Sequence, residues 1–315
     1  MKAADAGRGP KAAYAIFARD KAHHAVHVER QVRAAFAQTY PCEILLSDQG
    51  STDGTRELLA RLAGEYAVER EGQPVHHVVR VLDCPETAVR GMAGMNAHLA
   101  WLQDQTDAEY FIHASADDDA APERAAVLVE AFERTGADMV GGAMLFRDPS
   151  GVKPDSRTSF GREGWVSVQE MVELKVGGGA AAGWRRDFWH RISPIPGVCG
   201  LDVWMPPLAC VLGGFYFVNV PLYTYYHHAD GNNTGLEGAL LAAKTDAEKR
   251  VIDEHRFFQT AGAWQWVLRR MESLQVGNME ERHWARKSAL AHYEAWLDTR
   301  MAMTVHREPP QPFRI

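Results

Sequence analysis

Glu43-Ile44-Leu45-Leu46-Ser47 runs without a break into Asp48-Gln49-Gly50-Ser51-Thr52-Asp53-Gly54-Thr55. The apolar run is short and lacks a polar alternation, so it reads as a strand buried on both faces. Gly50 and Gly54 permit a sharp turn after it. Leu58, Leu59 and Leu62 then share one face of a helix that follows at once. A buried strand, a tight acid-bearing turn and a helix make the first unit of a parallel α/β sheet.

Outward from that unit the same alternation continues. Residues 12–18 (AAYAIFA) form an apolar run ending in Arg19-Asp20, a second buried strand. Val28, Val32, Ala35 and Phe36 give residues 28–38 helical spacing, which stops at Tyr40-Pro41. Residues 75–82 (VHHVVRVL) read as a strand, 92–102 as a helix, and 110–113 as a strand that enters Ala114-Ser115-Ala116-Asp117-Asp118-Asp119. Pro122 opens a helix over 123–135, and Met139-Val140 begins a fifth strand. Strands and helices alternating at this spacing predict a mostly parallel sheet with helices on both faces. After Phe146 the chain turns to Gly-, Pro- and Ser-rich loops, and from Thr245 it becomes helical.

The chain has 315 residues, of which 46% are hydrophobic and 24% charged, so it is globular rather than collagenous, coiled-coil or disordered. Thirty-four Lys and Arg against 41 Asp and Glu leave a formal charge of −7. An acidic chain gains nothing from counterion release on a phosphate backbone, which disfavours nucleic acid as a partner. The four cysteines are scattered without a CxxC pair, the pattern of reduced thiols. No apolar signal region opens the chain, and the longest apolar stretch, 208–220, is shorter than the ~20 residues of a membrane span. A cytoplasmic protein is expected. No GxSxG, HExxH or GxxxxGK[ST] run is present, so hydrolase, zincin and P-loop readings lack support.

In open parallel sheets ligands bind beyond the carboxyl ends of the strands. Two predicted strands end there in acids. Asp48 is placed to accept a hydrogen bond from a base or ribose, whereas Asp53 and Thr55 suit the cap of the next helix. Asp117-Asp118-Asp119 concentrates like charge, which a hard cation such as Mn²⁺ or Mg²⁺ would relieve. The alternative is a solvated acidic start to the Pro122 helix, favoured by its dipole.

These features resemble the GT-A-fold family 2 glycosyltransferases. The opening strand, the DxGSTDGT-like turn, Asn96 within GMAGMNAHL and the strand-end acids before Pro122 stand in that family's order over about residues 12–240. The resemblance implies a GT-A (Rossmann-like) sheet, a nucleotide-sugar donor with UDP-sugars favoured, a divalent metal, and inversion at the anomeric carbon. Composition and pattern divide the chain into a disordered N-terminus (1–11), a core (12–145), a loop-rich half (146–240) and a C-terminal helical extension (241–315), and the resemblance makes the core nucleotide-sugar-binding and the loop-rich half acceptor-binding and catalytic.

The resemblance also implies residue roles. Asp48 meets the nucleotide base, with Gln49 standing where the family has a second acid. Arg90 lines the nucleotide pocket. Asp118 contacts the metal and Asp117 the ribose, in a motif whose leading acid is Ser115 here. His228, or its neighbour His227, completes the metal site or touches the diphosphate. Asp202 in Gly200-Leu201-Asp202-Val203-Trp204 is the catalytic base, with Leu201 in place of the family's Glu; a plain helix cap is the other reading. The run 177–186 (GGGAAAGWRR) resembles the segment near acceptor and phosphate, with Trp184 as a stacking face and Arg185 beside it, or else Trp184 packs in the core. The acceptor is a glycan, a lipid-linked glycan or another hydroxyl. Two rival functions remain: a sugar-phosphate nucleotidyltransferase, for which Arg19-Asp20-Lys21 lacks the needed glycines, and a sugar-nucleotide binder without catalysis.

Overall fold

The computed structural model describes residues 9–69, 72–85, 91–148, 155–174, 181–195, 200–226 and 245–305. Ten strands form one sheet: β1 (Ala12–Ala18), β2 (Cys42–Asp48), β3 (Val78–Asp83), β4 (Tyr110–Ser115), β5 (Asp119–Ala120), β6 (Met139–Arg147), β7 (Ser156–Thr158), β8 (Gly164–Val166), β9 (Ala182–Arg185) and β10 (Phe215–Tyr226). Their order is β3-β2-β1-β4-β9-β6-β10-β5, with β7 on β6 and β8 on β10. β3, β2, β1 and β4 are mutually parallel, and β10 is parallel to β6. β9 is antiparallel to both its neighbours, β4 and β6.

Among the described residues, seven α-helices precede or connect these strands: α1 (Ala25–Phe36), α2 (Thr55–Glu69), α3 (Gly91–Gln103), α4 (Arg124–Thr135), α5 (Val168–Leu174), α6 (Arg186–Ile192) and α7 (Leu201–Val211). Two long helices follow, α8 (Asp246–Ser273) and α9 (Met279–Val305). Successive side chains on a strand face opposite ways, and β1 feeds both layers accordingly. Tyr14 and Ile16 pack with Val28, Val32 and Phe36 of α1, Leu59 and Leu62 of α2, and Leu128 and Phe132 of α4. Ala13 and Ala15 pack on the other face with Leu99 and Leu102 of α3 and the tryptophans of α6 and α7. Burial on both faces is why the strands are continuous apolar runs.

The C-terminal helices join the second layer rather than standing apart. Trp264, Val267 and Met271 of α8, and Ala285 and Ala289 of α9, belong to the same cluster as Trp204 and Leu208 of α7. Thr245 starts α8 with a capping box, its hydroxyl accepting from the Glu248 N–H while the Glu248 carboxylate accepts from the Thr245 N–H. No helix among the described residues is long and apolar enough to cross a membrane.

Candidate functional site

The Asp48 turn is held by its own side chains. Asp48 ends β2, its carboxylate accepting from the Ser51 N–H at 2.9 Å and the Ser51 hydroxyl at 2.5 Å. Gly50 and Gly54 adopt φ of 64° and 94°, a region that costs a side-chain-bearing residue strain, which explains both glycines. Asp53 accepts from the Thr55 N–H and hydroxyl and from the Ala22 N–H, so it starts α2 and ties the segment after β1 to it. Burial opposes the charge on Asp53, but these bonds hold its carboxyl below the usual range. Gln49 donates through its side chain to the Gly94 carbonyl at 2.8 Å, fastening the turn to α3.

The segment after β1 lies over this turn. The Asp20 N–H donates to Ser51 Oγ at 2.8 Å and the Lys21 N–H to Thr55 Oγ1 at 2.7 Å. Asp20 sits at φ 50°, in the left-handed region. Lys21 is 7% exposed, and its Nζ lies 2.6 Å from Asp117 Oδ2. Asp117 itself is 9% exposed.

The end of β4 is built from three directions. β5 pairs antiparallel with β10, which brings Tyr223 and Tyr226 over the acid turn. Tyr223 donates to Asp118 Oδ2 at 2.8 Å and accepts from the Ser115 N–H, while the Tyr226 N–H donates to Asp118 Oδ1 at 3.0 Å. From α1, Arg30 donates to the carbonyls of Asp117 and Asp118 and lies 3.7 Å over the Tyr226 ring. Asp118 is 1% exposed, and burial first, then the neighbouring Asp117 charge, push its carboxyl up to about 8.

β2, β1 and β4 are adjacent, with Ala18 opposite Asp48 and Phe17 opposite Ser115. Asp48, Lys21, Asp117 and Asp118 therefore share the carboxyl edge, spread over roughly 10 Å of sheet width. Asp202 lies in the first turn of α7, whose Trp204 ring stands 6.3 Å from that of Trp189 on α6, and α7 ends shortly before Phe215, the first residue of β10. The Asp202 side chain is exposed, yet the protein mass around it raises its carboxyl pKa.

Two expected site residues are corrected. Trp184 offers a sugar no stacking face: it is 0% exposed, its ring packed on Phe111 at 5.3 Å and Trp189 at 5.9 Å. The cause is β9, which inserts 182–185 between β4 and β6 as a central strand instead of a loop. Arg185 pairs in register with Tyr110, the first residue of β4, and so lies at the amino edge, roughly 17 Å of strand from the acid turn. There it binds Asp187 and Glu109. Arg90, His227, His228 and residues 1–8 lie outside the described residues. Lys21, Arg30, Tyr223 and Tyr226 are site residues that sequence reasoning missed. The one signal for Lys21 is a lysine three residues past a buried strand.

The described acids fit a divalent cation poorly. Both oxygens of Asp118 accept hydrogen bonds from within the protein, and Asp117 is already paired with an ammonium. Among the described residues no group of three His, Cys, Asp or Glu side chains could hold a metal ion.

The family profile described as Glycosyl transferase family 2 matches residues 26–188. The fold is similar to that of S. aureus TarS 1–349 in complex with UDP, at 12% identity and a TM-score of 0.53, covering 93% of this chain and 92% of that one. It is similar too to mannosyltransferase PcManGT from Pyrobaculum calidifontis in complex with GDP-Man and Mn²⁺, at 13% identity and a TM-score of 0.56, covering 95% and 75%. No curated protein matches the sequence.

Proposed function

The chain belongs to glycosyl transferase family 2, and from that premise we propose that it moves a sugar from a nucleotide-sugar donor to an acceptor hydroxyl with inversion at the anomeric carbon. The observation that carries the reading is the meeting of two acid turns, Asp48 to Thr55 and Ser115 to Asp119, at one edge of a parallel sheet. A UDP-sugar is the donor put first, a choice supported by the fold shared with a UDP complex. The acceptor is a glycan, a lipid-linked glycan or another hydroxyl.

In this reading Asp48 and its turn receive the nucleoside, and the diphosphate lies across the ends of β1 and β4. Asp202 takes the proton of the acceptor hydroxyl as that oxygen attacks the anomeric carbon from the face opposite the diphosphate. The carbon–oxygen bond to the phosphate breaks with its electron pair going to the phosphate, which inverts the centre. The sequence resemblance implies Mn²⁺ or Mg²⁺ held by Asp118 and His228, but the acid pair does not fit one and no step is assigned to it.

We place the activity in the cytoplasm, a reading supported by the free thiols of Cys42 and Cys210. A thermal-shift screen of UDP-, GDP- and dTDP-sugars, each with and without Mn²⁺, tests the donor class, because a ligand of the native state raises the melting temperature. Stabilisation by one nucleotide-sugar and slow hydrolysis of that donor support the proposal. Stabilisation without any hydrolysis or transfer favours the non-catalytic binder, and no stabilisation by any of them removes the donor reading.

A further inference from the structure

We propose that Lys21 takes the place of the divalent cation, meeting the diphosphate of the donor with its ammonium so that nucleotide binding needs no metal. The inference rests on the donor reading above. It begins from an ion pair where a cation site was expected: Lys21 Nζ stands 2.6 Å from Asp117 Oδ2 with both residues almost wholly buried. A buried carboxylate requires a partner charge, and a lysine supplies it here from the neighbouring strand end.

The pair is built rather than incidental. Lys21 is fixed at its backbone by Thr55, and the residue before it by Ser51, so the β1 end and the Asp48 turn move as one piece. The Asp20 backbone, at φ 50°, turns the chain within the few residues that separate β1 from Lys21. On the other side of the acids, Arg30 satisfies the Asp117 and Asp118 carbonyls, and Tyr223 and Tyr226 satisfy the Asp118 carboxyl. The strand-end acids are thus balanced by groups of this chain, which removes the charge deficit that would draw in a hard divalent ion.

A lysine ammonium is a compact charge on a flexible four-carbon stem. Its three N–H donors let it stay paired with Asp117 while it also meets a phosphate oxygen, so the buried carboxylate keeps its partner charge. When the acceptor oxygen bonds to the anomeric carbon, the bond to the diphosphate oxygen breaks and its electron pair stays on that oxygen. The acceptor proton goes to Asp202. Lys21 keeps its own proton throughout and balances the charge that accumulates on the leaving diphosphate.

Calorimetric titration of the full chain with UDP, in EDTA and in Mn²⁺, tests this without reference to turnover. The wild type is expected to bind UDP in EDTA within about threefold of its affinity in Mn²⁺. Lys21→Met/Asp117→Asn removes both charges together and avoids an orphaned buried carboxylate; it should lose about tenfold or more for UDP in EDTA, the size of a charged hydrogen bond, and little for uridine. Lys21→Arg keeps the charge and should retain most of the UDP affinity, which guards against a folding failure in the double variant. UDP binding by the wild type that requires Mn²⁺ would overturn the proposal, since the ion then displaces the lysine. So would unchanged UDP binding by the double variant in EDTA. If UDP, GDP and dTDP all fail to bind with or without Mn²⁺, the donor reading itself falls and this inference with it.

Discussion

Both edges of the sheet carry charged side chains, but they use them differently. At the amino edge most charges pair off where solvent reaches at least one partner: Lys11 with Glu133, Arg186 with Asp107, Arg80 with Glu43; Asp138, buried against Arg191, is the exception. A cavity of about 1150 Å³ opens there, lined by Lys11, Glu43, Arg80 and Arg185 among others. At the carboxyl edge the acids are drawn inward, held by turn backbones and tyrosines, with Asp48 and Asp118 at 3% and 1% exposure. The chemistry of its side chains, rather than that cavity, singles out the second edge. Exposed pairs are worth little individually, whereas burying an acid demands a set of specific partners, and such assembled surroundings mark functional sites.

The largest expected effect is at Asp202, which lies in the first turn of α7 and is proposed as the base. Asp202→Asn should lower sugar transfer by about 10²–10⁴-fold with donor affinity unchanged. Because the base works deprotonated and its carboxyl pKa is raised, transfer by the wild type should fall on the acidic side at a pH above the ordinary 3.8. Near-normal transfer by the variant would make Asp202 a helix-start residue and leave the base elsewhere.

Asp48 comes next, since the same carboxylate closes its turn and is proposed to meet the nucleoside. Asp48→Asn should weaken UDP binding about tenfold, the order of one charged hydrogen bond. Ser51→Ala removes a hydroxyl that serves the turn and should lower the melting temperature with UDP affinity preserved. The reverse pattern, affinity lost in Ser51→Ala and kept in Asp48→Asn, would reduce Asp48 to a turn residue.

Asp118 sharpens the contrast through pH. Its folded-state carboxyl holds a proton up to about pH 8, whereas an unfolded aspartate releases it near 3.8. Between those values the native state binds more protons than the unfolded chain, so this group makes stability fall as pH rises through the window. Melting temperatures measured from about pH 5 to about pH 8 should decline less steeply for Asp118→Asn than for the wild type. Parallel slopes would mean that Asp118 is charged in the folded protein and its burial matters less than argued.

Much of this edge was legible before any coordinates. The apolar runs at 43–47 and 110–113 became β2 and β4, and the acid turns follow them directly, because local patterning and turn chemistry agree there. What the sequence hid was set by long-range pairing. Residues 182–185 sit after a glycine-rich run and look like loop, yet they enter the middle of the sheet as a strand antiparallel to both β4 and β6. Tyr223 reaches Asp118 across 105 positions and Lys21 reaches Asp117 across 96. No periodicity encodes such meetings.

The smallest expected effect belongs to Arg185, which the sequence resemblance assigns to the donor and which stands at the other edge. Its guanidinium is about a quarter exposed and shared between Asp187 and Glu109, both substantially exposed. Arg185→Ala therefore breaks partly solvated pairs whose net worth is about 0–1 kcal/mol. It should shift the melting temperature slightly and leave UDP affinity within about twofold, a change below about 1 kcal/mol. The register of β9 against Tyr110 is what separates Arg185 from the acid turn, so the variant tests the topology as much as the residue. A tenfold loss of UDP affinity would mean that the nucleotide occupies the large amino-edge cavity, and the division of labour between the two edges would have to be reversed.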